Sequence, residues 1–174
     1  MTNTTLHLFK QNFKFSSAHF LIFDEKRAEK LHGHNYQVAV ALRSAPEGSA
    51  HQGGVPDAEL PERGYLVDFN VLKKFIRTEL NQWNEMVLLP KQHQDMKISE
   101  KGASLEVHFR ERFYVFPKNE VVLLPVTNTS VEQLSRILAE SFFKEFKKYG
   151  LSHVRVRVEE TSGQGASTLV STGA

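Results

Sequence analysis

Residues 31–43 read Leu31-His32-Gly33-His34-Asn35-Tyr36-Gln37-Val38-Ala39-Val40-Ala41-Leu42-Arg43, and this stretch carries both the type of sheet and the place of the chemistry. Tyr36, Val38, Val40 and Leu42 alternate with their neighbours, the period-two signature of a half-buried strand. At its start, His32 and His34 point to one face, because side chains two apart on an extended chain point the same way. A near-alternating run from Leu6 to Phe20 (Leu6, Leu8, Phe13, Phe15) predicts a neighbouring strand of the same sheet, and that run holds Ala18-His19. Three imidazole nitrogens can then meet at one point with a fourth coordination position open, the donor set of a catalytic zinc site.

Alone, His32 and His34 would equally suit a strand start with two exposed imidazoles. His19, with Gly33 leaving room between the pair, favours zinc, with His19, His32 and His34 as ligands. His7, His51, His93, His108 and His153 have no partner at ligand spacing and are expected on the surface or in strands.

Working outward, Leu21 to Lys30 is charged and irregular, and Ser44 to Arg63, rich in proline and polar residues, is expected to be a surface loop without chemistry. Asp68 is a good N-cap for a helix whose apolar positions Phe69, Leu72, Ile76 and Leu80 fall at helical spacing, and Leu88, Leu89 and Pro90 close that unit. A second helix starts at Thr129 or Ser130, with capping-box pairs Thr129/Glu132 and Ser130/Gln133, buries Val131, Leu134, Leu138 and Phe142, and ends at Gly150. Between them, Leu105–Phe109 and Arg112–Phe116 read as a hairpin. The last strand alternates Val154, Val156 and Val158 and delivers Glu159, Glu160 and Thr161 to its end. The order strand, strand, helix, hairpin, helix, strand is an α+β layout, an antiparallel sheet with its helices on one face. The other face is left to be covered, and oligomerisation would cover it.

The bulk composition narrows the function. The 174 residues, 40% hydrophobic and 24% charged, suit one domain spanning 1–174. Twenty-two basic against 20 acidic residues leave a net charge of only +2, which gives no reason to expect a nucleic-acid partner. No cysteine is present, so thiolate ligands, disulfides and cysteine nucleophiles are excluded. No cationic, apolar leader and no membrane-length apolar run is seen, so a cytoplasmic protein with no membrane partner is expected.

Two carboxylates stand out beside the histidines. Glu29, three residues before His32, could accept a proton from carbon or hydroxyl next to a metal-bound substrate; it could also be a solvated charge among Asp24, Glu25, Lys26 and Arg27. Glu160, at a strand end, could accept two parallel hydrogen bonds from the amidine-like edge of a pterin or guanine ring, while Glu159 is expected to face solvent.

The segments Phe15-Ser16-Ser17-Ala18-His19-Phe20, Leu31-His32-Gly33-His34-Asn35-Tyr36, Val67-Asp68-Phe69 and Glu160-Thr161, in this order, resemble the 6-pyruvoyl-tetrahydropterin synthase and 6-carboxytetrahydropterin synthase family. The resemblance implies the tunnelling fold (T-fold), in which four-stranded antiparallel sheets from three subunits form a barrel. Two trimers stack into a homohexamer with pterin pockets between subunits. It implies His19, His32 and His34 as zinc ligands, Glu160 as the anchor of the pterin ring, and Thr129, Ser130 and Glu132 as the stretch lining the ring pocket. The implied substrate is 7,8-dihydroneopterin triphosphate.

Two departures bear on the chemistry. Where many members carry a catalytic cysteine, this chain has Ala28 followed by Glu29, which resembles a subgroup that uses glutamate and cleaves the side chain to 6-hydroxymethyl-7,8-dihydropterin for folate synthesis. Where the family commonly shows Leu-Asp-His, this chain has Trp83-Asn84-Glu85, so Glu85 would serve in place of imidazole as proton partner. Formation of 6-carboxytetrahydropterin (the queuosine branch) or 6-pyruvoyl-tetrahydropterin is the alternative within the family. A non-catalytic, zinc-containing pterin-binding protein is the alternative outside it. A purely structural zinc is disfavoured by the open fourth position.

Overall fold

The computed structural model describes residues 4–44 and 65–172, so the expected loop beyond Ser44 and His51 lie outside the described residues. At its centre runs β3 (His32–Ser44), the strand expected from the opening stretch. On one side β3 pairs antiparallel with β9 (Leu151–Thr161), and β9 with β10 (Gln164–Ser171). On its other side lie β2 (Lys14–His19), along the first part of β3, and β1 (Thr5–Leu8), along its second part, both antiparallel. The run expected as one strand from Leu6 to Phe20 is thus two strands on one edge. They are separated by a turn after which the Phe13 carbonyl accepts from the Val38 amide at 2.7 Å.

The antiparallel order β10-β9-β3-β2 matches the four-stranded sheet of the expected fold, with β10 lying beyond the last expected strand, and the sheet extends further. β4 (Met86–Pro90) pairs parallel with β2, and β8 (Val121–Leu124) pairs parallel with β4, giving a seven-stranded mixed sheet. The short apolar runs of β4 and β8 do not alternate, which hides them from a period-two reading.

Both helices pack on one face, as expected. α1 (Phe69–Asn81) is capped by Asp68, whose carboxylate accepts from the Asn70 amide at 2.8 Å, and turns Leu72, Ile76 and Leu80 inward. α2 (Val131–Phe146) buries Leu134, Leu138, Phe142 and Phe146. These meet Phe13, Phe15, Tyr36, Val38, Val40, Leu42, Val154, Val156 and Val158 in the main core. Phe142 is fully buried and meets Phe75 edge-on at 6.0 Å. Phe142→Ala is therefore expected to cost about 3–5 kcal/mol in urea unfolding, with the m-value unchanged.

The start of α2 departs from expectation. Ser130 is the N-cap but makes no side-chain cap bond, and its hydroxyl serves Glu132 instead. The Thr129 hydroxyl donates to the Phe20 carbonyl at 3.1 Å, so neither capping box closes. At its other end α2 runs through a 3-10 turn to Gly150, whose φ of 74° lies in the left-handed region that glycine tolerates, the expected stop.

The expected hairpin is present as β6 (Ser104–Phe109) and β7 (Arg112–Pro117), and β5 (Met96–Lys101) adds a third strand to it. This small sheet has its own apolar cluster of Phe20, Ile22, Leu89, Met96, Leu105, Val107 and Phe109, which joins it to the main sheet through Leu89 and to the β2–β3 connection through Phe20 and Ile22. No helix among the described residues is long and apolar enough to cross a membrane.

Candidate metal centre and active site

The pairing of β2 with β3 puts His19 directly opposite His32 and Ser17 opposite His34. The three imidazoles consequently share one corner of the sheet, with one ligand nitrogen from each lying within 4.8 Å of the others. The Nε2 atoms of His32 and His34 are 2.9 Å apart. Tetrahedral zinc with Zn–N bonds of about 2.0–2.1 Å sets its ligand nitrogens about 3.3–3.4 Å apart.

Backbone carbonyls orient two of the rings. The His19 Nδ1–H donates to the Thr129 carbonyl at 3.0 Å, and the His32 Nδ1–H donates to the Lys30 carbonyl at 2.8 Å. Both arrangements leave Nε2 as the free lone pair, the outer-shell pattern found behind metal-binding histidines. His19 is fully buried, and burial pushes its pKa down to about 4, so the ring is neutral at neutral pH. Its Nε2 is buried without a hydrogen-bond partner among the described residues. A buried lone pair with no donor, facing two more imidazole nitrogens, fits a metal ion.

Gly33 does not make room among the rings. Alternation turns it to the opposite face, where an added Cβ would meet the Ser17 carbonyl oxygen at 3.4 Å, an ordinary contact.

Two carboxylates flank the centre. Glu29 Oε2 lies 3.7 Å from His32 Nε2 and accepts from the Leu21 amide at 3.0 Å. Glu160 Oε1 lies 3.5 Å from His19 Nε2 and 4.0 Å from His34 Nε2, with its side chain only 11% exposed. Glu159 points to the other face of β9, where it pairs with Arg157. At the β9–β10 turn an added Cβ on Gly165 would lie 2.2 Å from the Val158 carbonyl oxygen, so only glycine permits the close approach that shapes this strand end.

Thr129 is buried behind His19, with its carbonyl and hydroxyl both engaged, while Ser130 and the exposed Glu132 sit at the start of α2. The Ser130 hydroxyl holds the Glu132 carboxyl below its ordinary pKa. Glu85 lies in a neighbouring cleft that His34 also lines. It has a left-handed φ of 62°, donates its amide to Ser16, and lines that cleft with Ser16, Gly33, His34, Asn35 and Met86. Among the described residues no hydrogen bond or ion pair joins it to Glu29 or the histidines.

Tyr36 belongs to this neighbourhood although its sequence signature is that of a core residue. Its ring centroid is 5.7 Å from those of both His19 and His34, and its buried hydroxyl has no partner among the described residues. Burial pushes that hydroxyl well above its ordinary pKa, so it stays protonated and can donate a hydrogen bond. The available clue was the alternation that puts residues 32, 34 and 36 on one face.

Residues 8–169 match the family described as 6-pyruvoyl tetrahydropterin synthase. The chain belongs to that family. A Methanocaldococcus jannaschii protein, provisionally named 6-carboxy-5,6,7,8-tetrahydropterin synthase, is 27% identical over 156 residues, covering 88% of this chain and 87% of that protein. The crystal structure of 6-pyruvoyl tetrahydropterin synthase from Plasmodium vivax matches with a TM-score of 0.82 at 25% identity, covering 99% of this chain and 100% of that one. The same P. vivax protein in a form described as a catalytic-residue mutant, alanine replacing glutamate, matches equally, with a TM-score of 0.82 at 25% identity over 99% and 100% of the two chains. The fold is thus the α+β T-fold, and the protein is a tetrahydropterin synthase-like enzyme of this family.

Proposed function

We propose that the protein is a zinc-dependent lyase that cleaves the side chain of 7,8-dihydroneopterin triphosphate to give 6-hydroxymethyl-7,8-dihydropterin, the folate branch of the family's chemistry. The observation that carries this reading is Glu29, 3.7 Å from His32 Nε2 in a chain without cysteine. The P. vivax relative, with a glutamate described as catalytic, supports a carboxylate in this role.

His19, His32 and His34 would hold the zinc, which when bound polarises substrate hydroxyls and stabilises developing negative charge. Breaking the bond between the two hydroxyl-bearing side-chain carbons requires a proton to leave the outer hydroxyl and a proton to reach the carbon left on the ring. Glu29 takes the first, and its protonated form can return it to that carbon, so the step balances without an oxidant or a second acid. The outer fragment leaves as an aldehyde bearing the triphosphate. Glu160 anchors the pterin ring, and the Thr129–Glu132 stretch lines the pocket beside it. Glu85, which shares a cleft with His34 but bonds to neither the histidines nor Glu29 among the described residues, is the proton partner, acting on its own centre or on that of a neighbouring copy. The latter fits a homohexamer built as a dimer of trimers, which would also cover the sheet face that carries no helix. A soluble, cytoplasmic enzyme accords with this substrate.

Incubation of the zinc-loaded protein with dihydroneopterin triphosphate and mass spectrometry of the pterin tests the reading. A product of the mass of 6-hydroxymethyl-7,8-dihydropterin supports it. The name of the M. jannaschii relative favours a second reading, 6-carboxytetrahydropterin formation, and that mass would replace the first. Unaltered substrate bound at stoichiometric enzyme would point to a non-catalytic pterin-binding protein.

Glu160→Gln is expected to weaken pterin binding about 10- to 100-fold, because a charge-assisted hydrogen bond is worth about 1.5–3 kcal/mol. Zinc content should stay as in the parent protein. Loss of zinc from this variant would make Glu160 a metal ligand instead, and calorimetric titration with metal analysis separates the two.

A further inference from the structure

The three-stranded sheet β5–β7 has no role in the site as described, yet its side chains grip the loop that carries Glu29. The Arg112 guanidinium donates through Nη2 to the Ala28 carbonyl at 3.0 Å and through Nη1 to the Glu29 carbonyl. One planar group therefore holds two consecutive peptide carbonyls at the residue that bears the carboxylate. The half-buried guanidinium also lies 6.0 Å from the Phe20 ring centroid and 5.8 Å from that of Phe109, against the apolar cluster that joins this sheet to the loop. Two residues earlier, Arg110 donates to the Asp24 carbonyl at 2.7 Å and pairs with Asp95 at 2.9 Å.

The carboxylate itself is lightly held. The Glu29 side chain is 31% exposed, its one hydrogen bond among the described residues is from the Leu21 amide, and His32 Nε2 lies 3.7 Å away. Its position relative to the histidines is set mainly by its backbone. Within the loop, the backbone is tied by the Ile22–Ala28 bridge and the bond from the Glu29 amide to the Leu21 carbonyl at 2.8 Å. Those bonds fix the shape of the loop; Arg112 fixes where its Glu29 end stands.

We infer that Arg112 is a positioning residue for Glu29, and that the inserted sheet is the platform from which it acts. The inference rests on the reading of Glu29 as the base. Proton transfer demands close placement of base and proton, and a misplacement of about 1 Å can cost about 100-fold in rate. Lysine cannot replace the fork, because an ammonium on a flexible stem does not hold two carbonyls in one plane.

The test is a double-mutant cycle on the zinc-loaded enzyme, with kcat and KM for dihydroneopterin triphosphate, zinc content and amide hydrogen exchange as readouts. Arg112→Ala is expected to lower kcat about 10- to 100-fold, with KM changed by less than about threefold, zinc retained and exchange accelerated at the Leu21 and Glu29 amides. Arg112→Lys, which keeps the charge and much of the packing, should lose most of the same factor and serves if the alanine variant does not fold. In a Glu29→Ala background the Arg112 substitution should change kcat by less than about twofold, since there is no base left to position. An equal loss in both backgrounds, or parent-like kcat in Arg112→Ala beside a large loss in Glu29→Ala, would overturn the positioning role while leaving the base assignment intact. Parent-like turnover in Glu29→Ala alone would instead remove the base, and the positioning role with it.

Discussion

His34→Ala is expected to empty the metal centre without unfolding the protein, taking zinc from about one ion per chain to a small fraction of that after dialysis. The choice of His34 among the three matters. His19 also supports the Thr129 carbonyl and is fully buried, and His32 also binds the Lys30 carbonyl, so replacing either disturbs more than the metal. Among the described residues the one hydrogen-bond contact of the His34 ring is to His32 Nε2, and its side chain is 22% exposed. Removing it takes away one nitrogen of the donor set and little else. Two imidazoles then remain where a catalytic site uses three protein ligands. Zinc at a hundredfold excess over Kd should stabilise the parent protein by about 2.7 kcal/mol, and the variant should show no such gain in a thermal unfolding titration. An undiminished metal-to-protein ratio in His34→Ala would contradict the three-histidine assignment.

The centre was legible because its geometry follows from local rules. A spacing of two on a strand puts His32 and His34 on one face, and pairing with the preceding strand brings His19, so sequence order is nearly enough to find all three. Glu160 comes within 3.5 Å of His19 from the end of an alternating strand, while its role as ring anchor follows from the family resemblance alone. The helix faces of α1 and α2 followed from their apolar spacing. What escaped reading depends on contacts that sequence spacing does not encode. Arg112 reaches the Glu29 carbonyl across 83 residues, and nothing at position 112 distinguishes it from a surface arginine of a hairpin. β10 carries Gly165, Ala166, Ser167 and Thr168, too few apolar residues for a clear period, and it exists because β9 offers it an edge. Thr129 was read as a cap from its type, but its hydroxyl and carbonyl are drawn to Phe20 and His19, a tertiary demand that outweighs local capping. Glu85 was assigned to the centre by analogy with an imidazole. The backbone turns left-handed there and sets it in a cleft that shares only His34 with the centre.

Glu29→Ala is expected to lower kcat about 10²- to 10⁴-fold, the range supplied by a positioned general base, while zinc content stays at the parent level. The variant should fold. The carboxylate accepts one backbone hydrogen bond, from Leu21, and losing it costs about 1 kcal/mol. Alanine alone would not separate loss of a base from loss of that bond, and Glu29→Gln does. Its amide oxygen can still accept from the Leu21 amide at nearly the same geometry, but it cannot take up a proton. Glutamine should therefore restore the stability lost in alanine and none of the turnover. If Glu29→Gln instead keeps parent-like kcat in single-turnover measurements, the carboxylate is structural. The proton would then have to leave by another group, and the closest remaining carboxylate to the histidines is Glu160. That outcome would exchange the roles of the two acids that flank the centre, since a group cannot both stay ionised to hold a ring and change protonation in each turnover.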